Sequence, residues 1–190
     1  MRSICITIAL ILSFQCFSQS FDQSTDSINA YITNKDYLKG LTLSRKKASE
    51  YESQKKYEKF CEITLLKSKI FFLLNDKEKS FENLFQVLKV TEEHNLIKLK
   101  VQTLEEIGHR YFTIFDYEKA KVYYYRSISL AKKNNILKPS SFIYQRMYAL
   151  HFTTESDSAF YYLEKVRLGT IQKGDNLELA VNYNNYYSYY

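Results

Sequence analysis

Residues 101–132 read VQTLEEIGHRYFTIFDYEKAKVYYYRSISLAK, and the spacing of their apolar and small side chains decides the fold. Leu104, Ile107, Gly108 and Tyr111 form one series, and Ala120, Tyr124, Ser127, Ile128 and Ala131 form a second beyond Asp116. Both follow the i, i+3, i+4, i+7 rhythm of an amphipathic helix. Asp116 separates them as an N-cap, a side chain that accepts hydrogen bonds from the orphan amides of a first helical turn. The stretch therefore predicts a helix over 97–112, a tight turn and a second helix after Asp116. Three tyrosines adjoin in that second helix. Each residue turns a helix by about 100°, so Tyr124 faces the core while Tyr123 and Tyr125 lie at its edges. The triplet is expected to hold hairpins together rather than to bind a ligand.

The same arrangement recurs along the chain. NKDYLKG, LNDKEKS and IFDYEKA align, so that Asp36, Asp76 and Asp116 fall at one constant interval, as do Gly40, Ser80 and Ala120. Ala159 continues the series one position early, in ESDSAFYYLEKV, with Asp157 nearer its alanine. The small residue has a packing reason: one turn into its helix it meets the preceding antiparallel helix, and a bulky side chain would force the pair beyond the usual separation of about 8–10 Å. Phe81, Leu84, Phe85 and Leu88 are the expected inward set after Ser80, and Leu163 and Val166 after Ala159. Further helices are expected over 60–74 and 141–152, with Phe60, Ile63, Leu66 and Ile70 forming the inward face of the first. Thr64 and Lys67 fall where the register of the repeat wants apolar residues. The chain thus reads as all-α, a solenoid of antiparallel helical hairpins at 22–53, 57–95, 97–135 and 140–168, with a fifth beginning near Leu177.

The unit at 101–132 resembles the tetratricopeptide repeat. Leu104 takes the first large position, Ile107 and Gly108 stand for the Leu-Gly pair, and Tyr111 follows one turn later. Ala120 stands at the family's distance from Gly108, Tyr124 takes the aromatic place and Ser127 the second small one. The family repeats about every 34 residues. The interval from Asp76 to Asp116 is longer, and Lys132 replaces the usual proline, which implies lengthened helices. A HEAT-like array has a period of about 40–47, but the spacing of Gly108 to Ala120 favours the tetratricopeptide class.

Composition agrees with helices. Among 190 residues there are four glycines and one proline, where average usage of about 7% and 5% would give many more. Net charge is +6, or +5 without Arg2. The basic residues are scattered, with short runs at Arg45–Lys47 and Lys132–Lys133 that we expect near helix ends, where cations suit the macrodipole. A nucleic-acid footprint would be a continuous stripe, so no nucleic-acid partner is expected. MRSICITIALILSFQCFSQS has a basic start, an apolar run over 4–12 and then small polar residues, the order of a secretory signal peptide. Cleavage after Ser18 would leave a repeat domain over 19–190 in an exported, periplasmic protein. A buried N-terminal helix and lipid attachment at Cys16, the latter disfavoured by the bulk of Gln15, are the alternatives. Cleavage leaves Cys61 alone, unable to close an internal disulfide and read as a small buried hydrophobe.

No phosphate loop, nucleophile elbow or zinc motif is present. His94, His109 and His151 are too scattered for a ligand cluster. Glu106 and His109 have the i, i+3 spacing of di-iron bundles, but the second copy such a site needs is missing. The chain is therefore expected to be no enzyme, with no catalytic residue, metal or cofactor. The first helices of stacked hairpins line a concave surface. On the family resemblance, Gln102, Glu105, His109, Phe112 and Thr113 would line it in one unit. Ser141, Tyr144, Tyr148, His151 and Phe152 would follow in the next. Such a groove suits an extended peptide or a partner helix, so the partner is expected to be a protein or peptide. NLELAVNYNNYYSYY at the C-terminus reads as the first helix of a hairpin without its mate. On that ground the alternative is the sensor region of a longer signalling protein, tethered to a membrane only through a missing C-terminal continuation.

Overall fold

The computed structural model describes residues 23–136, 141–152 and 156–173. The expected signal peptide, Cys16, and the fifth hairpin with its terminal tyrosines lie outside them. Among the described residues are eight α-helices and no strand: α1 (Ser24–Thr33), α2 (Tyr37–Ser53), α3 (Tyr57–Leu73), α4 (Lys77–Glu93), α5 (Ile97–Thr113), α6 (Tyr117–Lys133), α7 (Ser141–His151) and α8 (Ser156–Lys173). Each packs on its neighbours in sequence, and α1, α3 and α5 also lie side by side. None of these helices is long and apolar enough to cross a membrane.

The regularity comes from the turns. Lys35, Lys55, Asn75, Asn95, Phe115 and Asn135 all adopt the left-handed conformation, with φ between 51° and 66°, evenly spaced along the chain. Around Lys35 its amide donates to the Ile32 carbonyl at 3.1 Å and the Asp36 amide donates to the Tyr31 carbonyl at 2.8 Å. That pair of bonds is a Schellman motif. The Asp36 carbonyl then accepts from the Gly40 amide at 3.1 Å, so one residue closes one helix and opens the next. The same bonds recur at Asp76 and Asp116. Asparagine tolerates the left-handed region, whereas a residue with a full-sized apolar side chain there costs about 1–2 kcal/mol. The structural period is thus half of the one read from the small residues. Asn75, Asn95 and Asn135 were its sequence signal.

Those small residues are all buried. A Cβ on Gly40 would stand 2.8 Å from Ile70 Cδ1 and 3.5 Å from Tyr31 Cβ, so α2 is seated against both α1 and α3. The Ser80 hydroxyl lies 3.0 Å from that of Ser68, which also donates to the Ser80 carbonyl at 2.9 Å. Ser68 occupies in α3 the place that Gly108 holds in α5, one unit later. The register of the repeat therefore holds through the second unit: Thr64 and Ser68 are buried with Phe60, Ile63 and Ile70, while Leu66 is only half-buried. Lys67 is half-buried too, and desolvation, with Arg45 nearby, lowers its pKa.

Several expectations are corrected. Phe85 is exposed, and Val87 fills the core of α4 in its stead, because the inward stripe runs Ser80, Leu84, Val87, Leu88 and Thr91. Arg45–Lys47 sits at mid-helix in α2 rather than near its end; Lys47 pairs with Glu50 at 3.0 Å and Arg45 lies over Phe71. Asp76 and Asp116 accept a bond from a backbone amide of the first turn, whereas Asp36 pairs with the Lys39 ammonium instead. Asp157 lies inside the first turn of α8, not at its cap.

Candidate functional site

Helix α5 carries Gln102, Glu105, His109 and Phe112, spaced by three and four so that they share its outward side. Gln102 is exposed and the others are half-buried. On α7 the inward stripe is Ile143, Met147 and His151, each buried against Ala120, Tyr124 or Tyr162. Two positions on a helix differ by about 200°. Phe142 and Arg146 therefore stand on one flank of α7, and Tyr144, Tyr148 and Phe152 on the other.

The first flank meets α5. His109 packs edge-on against Phe142, with ring centres 5.0 Å apart. The Arg146 guanidinium lies between two rings, 4.7 Å from the centre of Phe112 and 4.7 Å from that of Phe142. A cation over an aromatic face is attracted by the ring quadrupole, and two faces fix its plane. Among the described residues no carboxylate pairs with Arg146, and its Nε is buried without a hydrogen-bond partner. His109 Nδ1 is in the same condition. Burial lowers the pKa of His109 most and the Arg110 charge next; Glu106 pulls the other way, and Arg146 adds a smaller lowering. Its imidazole is thereby kept neutral at neutral pH.

The second flank is arranged differently. Tyr144 stacks on Tyr162 of α8 at 6.3 Å, and burial raises its phenol pKa. Tyr148 packs edge-on against Phe152 at 5.4 Å, and Phe152 is 44% exposed. His151 is buried rather than on the groove: Tyr125 Oη lies 3.1 Å from its Nε2 and Tyr162 stacks on its ring. The α5 residues His109 and Phe112 are thus brought together with α7, while Tyr144, Tyr148 and Phe152 form a separate stripe. Phe142 and Arg146 were missed by sequence reading. A strict transfer of Gln102 by one unit would have found Phe142, and its i+4 neighbour is Arg146.

The tyrosine triplet divides as expected. Tyr124 is 0% exposed, Tyr123 is half-buried and stacks on Tyr111 at 5.5 Å, and Tyr125 reaches His151 from the surface. Arg110, another residue the pattern did not single out, is 3% exposed. It pairs with Glu106 at 3.1 Å, lies 4.4 Å over Phe72 and places Nε 3.4 Å from the Ser80 hydroxyl, pinning α5 to the preceding unit. Among the described residues no group of three or more His, Cys, Asp or Glu is placed to hold a metal ion.

No protein-family model matches the chain, and no curated protein matches it. Solved structures do. Aspartyl phosphate phosphatase F from Bacillus subtilis superposes with a TM-score of 0.75 at 20% identity, over 84% of this chain and 42% of that one. BtubC from P. vanneervenii does so with 0.67 at 12% identity, over 88% and 78%. The apo form of RapI gives 0.66 at 14%, over 88% and 63%. The chain therefore spans less than half the length of the first. A likeness at these identities is one of fold, and the phosphatase name carries no activity across. The fold so shared is an all-α, tetratricopeptide-like solenoid of antiparallel helical hairpins.

Proposed function

We propose that the chain is a non-catalytic binding module of an exported protein, holding a peptide or partner helix along the surface where α5 meets α7. The observation that carries this reading is Arg146: a guanidinium clamped between Phe112 and Phe142, with no carboxylate partner among the described residues and a buried Nε left without an acceptor. Leaving a buried donor unmade is unfavourable, and a side chain already fixed in place loses little freedom when an acceptor arrives. His109, neutral with Nδ1 unmet, adds a second polar position, and Gln102 and Glu105 extend the surface along α5. Tyr144, Tyr148 and Phe152, on the opposite flank of α7, stand apart from this surface. Export rests on the order of residues in 1–18, and N-terminal sequencing of the secreted chain should begin at Gln19.

The test is a screen of arrayed short peptides with the purified chain, repeated with Arg146→Gln and Phe112→Ala. Peptides retained by the wild type should carry a carboxylate, and Arg146→Gln should weaken them about tenfold, the loss of one charge-assisted hydrogen-bonded pair. Equal retention by all three proteins would remove the site.

A further inference from the structure

Among the described residues Phe115 is the one apolar residue at a left-handed turn position; lysine or asparagine occupies the other five. Burial of the ring would be the ordinary compensation for such strain, yet Phe115 is 76% exposed. Nothing within the described chain explains a phenylalanine there. Its ring meets Tyr117 edge-on at 6.1 Å, Tyr117 leans on Phe112 at 5.4 Å, and Phe112 carries Arg146 at 4.7 Å. An unbroken run of rings thus leads from the apex of the turn to the unpaired guanidinium. One unit earlier, Leu73 and Leu74 at the corresponding turn are also exposed. The only acid in the α5–α6 turn, Asp116, is already engaged by the Lys119 ammonium at 2.7 Å and by its amide at 3.2 Å. The apex is therefore apolar and electrically quiet, and the positive charge stands at the far end of the rings.

We propose that Phe115 anchors an apolar side chain of an extended peptide whose acidic side chain pairs with Arg146. The assignment of Arg146 rests on the functional reading above; that of Phe115 rests on its own strain and exposure. The separation follows from the geometry. Steps of 6.1, 5.4 and 4.7 Å reach no more than about 16 Å, and an extended chain covers about 3.3–3.6 Å per residue. The apolar and acidic residues of the peptide are then up to about five positions apart.

Fluorescence anisotropy with labelled Gly-Ser peptides tests this. One peptide carries a tryptophan and a glutamate about four positions apart; two controls replace the tryptophan by glycine or the glutamate by lysine. The wild type should prefer the first to either control by about tenfold. Phe115→Asn, which substitutes the residue used at Asn75, Asn95 and Asn135, should abolish the preference for tryptophan and retain that for glutamate. The same variant should raise the thermal midpoint, by about 2–4 °C. Arg146→Gln should do the reverse for the two peptide preferences. Undiminished binding of the tryptophan peptide by Phe115→Asn would overturn the inference while leaving the groove intact, provided Arg146→Gln still weakens it. A wild type indifferent to all three peptides would overturn both. Vesicles of phosphatidylglycerol and phosphatidylcholine form the last arm: wild-type binding lost in Phe115→Asn, with the peptide preferences unchanged, would mark the apex as a bilayer contact and also overturn the assignment.

Discussion

Gly108→Ala should destabilise the protein, although alanine is the better helix former. A Cβ added at Gly108 would stand 2.7 Å from both Cδ1 and Cε1 of Tyr124 and 3.2 Å from its Cγ. Carbon atoms at rest are about 3.5–4.0 Å apart, so the ring must retreat by about 1 Å. It has nowhere to go: Tyr124 is fully buried among Ala120, Ile143, Met147 and Tyr162, and protein interiors are packed as tightly as organic crystals. Overpacking of this kind costs about 1–3 kcal/mol, offset by about 1 kcal/mol of gained helix propensity. The net loss is up to about 2 kcal/mol, or up to about 8 °C in thermal midpoint for a chain of this size. Circular dichroism during heating and urea titration measures it. In a Tyr124→Leu background the obstacle is gone and the same substitution should become neutral or stabilising, a coupling of about 1–3 kcal/mol in the double-mutant cycle. A Gly108→Ala protein more stable than wild type, or a loss unchanged by Tyr124→Leu, would refute the close approach of α5 and α6.

Burial, reinforced by Glu62 and Glu58, pushes the Cys61 thiol up to about 12. In a Cys5→Ser, Cys16→Ser chain, a thiol reagent at mildly alkaline pH should therefore react only as fast as the protein opens, and reaction at the rate of free cysteine would contradict the packing of α3. His109 binds its proton less readily folded than unfolded, because burial and the neighbouring arginines lower its pKa. The unfolded state then takes up the proton first, so stability should be full above the ordinary histidine pKa and decline as pH falls through it toward the lowered folded value. Urea midpoints between about pH 7.5 and 5.5 should show that decline in the wild type and a smaller one in His109→Gln; identical profiles would place the imidazole in solvent.

Much of the fold was legible because its determinants are local. Asp36, Asp76 and Asp116 mark where helices begin, and Gly40, Ser80, Gly108 and Ala120 mark where two backbones approach. Such a residue must be small whatever surrounds it, so a chain of stacked hairpins writes its period into its smallest side chains. The half-period set by the turns was also present, in Asn75, Asn95 and Asn135. It was obscured because Lys35, Lys55 and Phe115 hold the same conformation without the residue type that advertises it. What lies between elements was not local. Whether Phe85 or Val87 faces the core depends on how α4 rolls against its neighbours. The meeting of His109 and Phe112 with Phe142 and Arg146 depends on the angle at which α7 is laid beside α5. Periodicity within a helix specifies which residues share a side; only the packing of one helix on another decides what that side confronts.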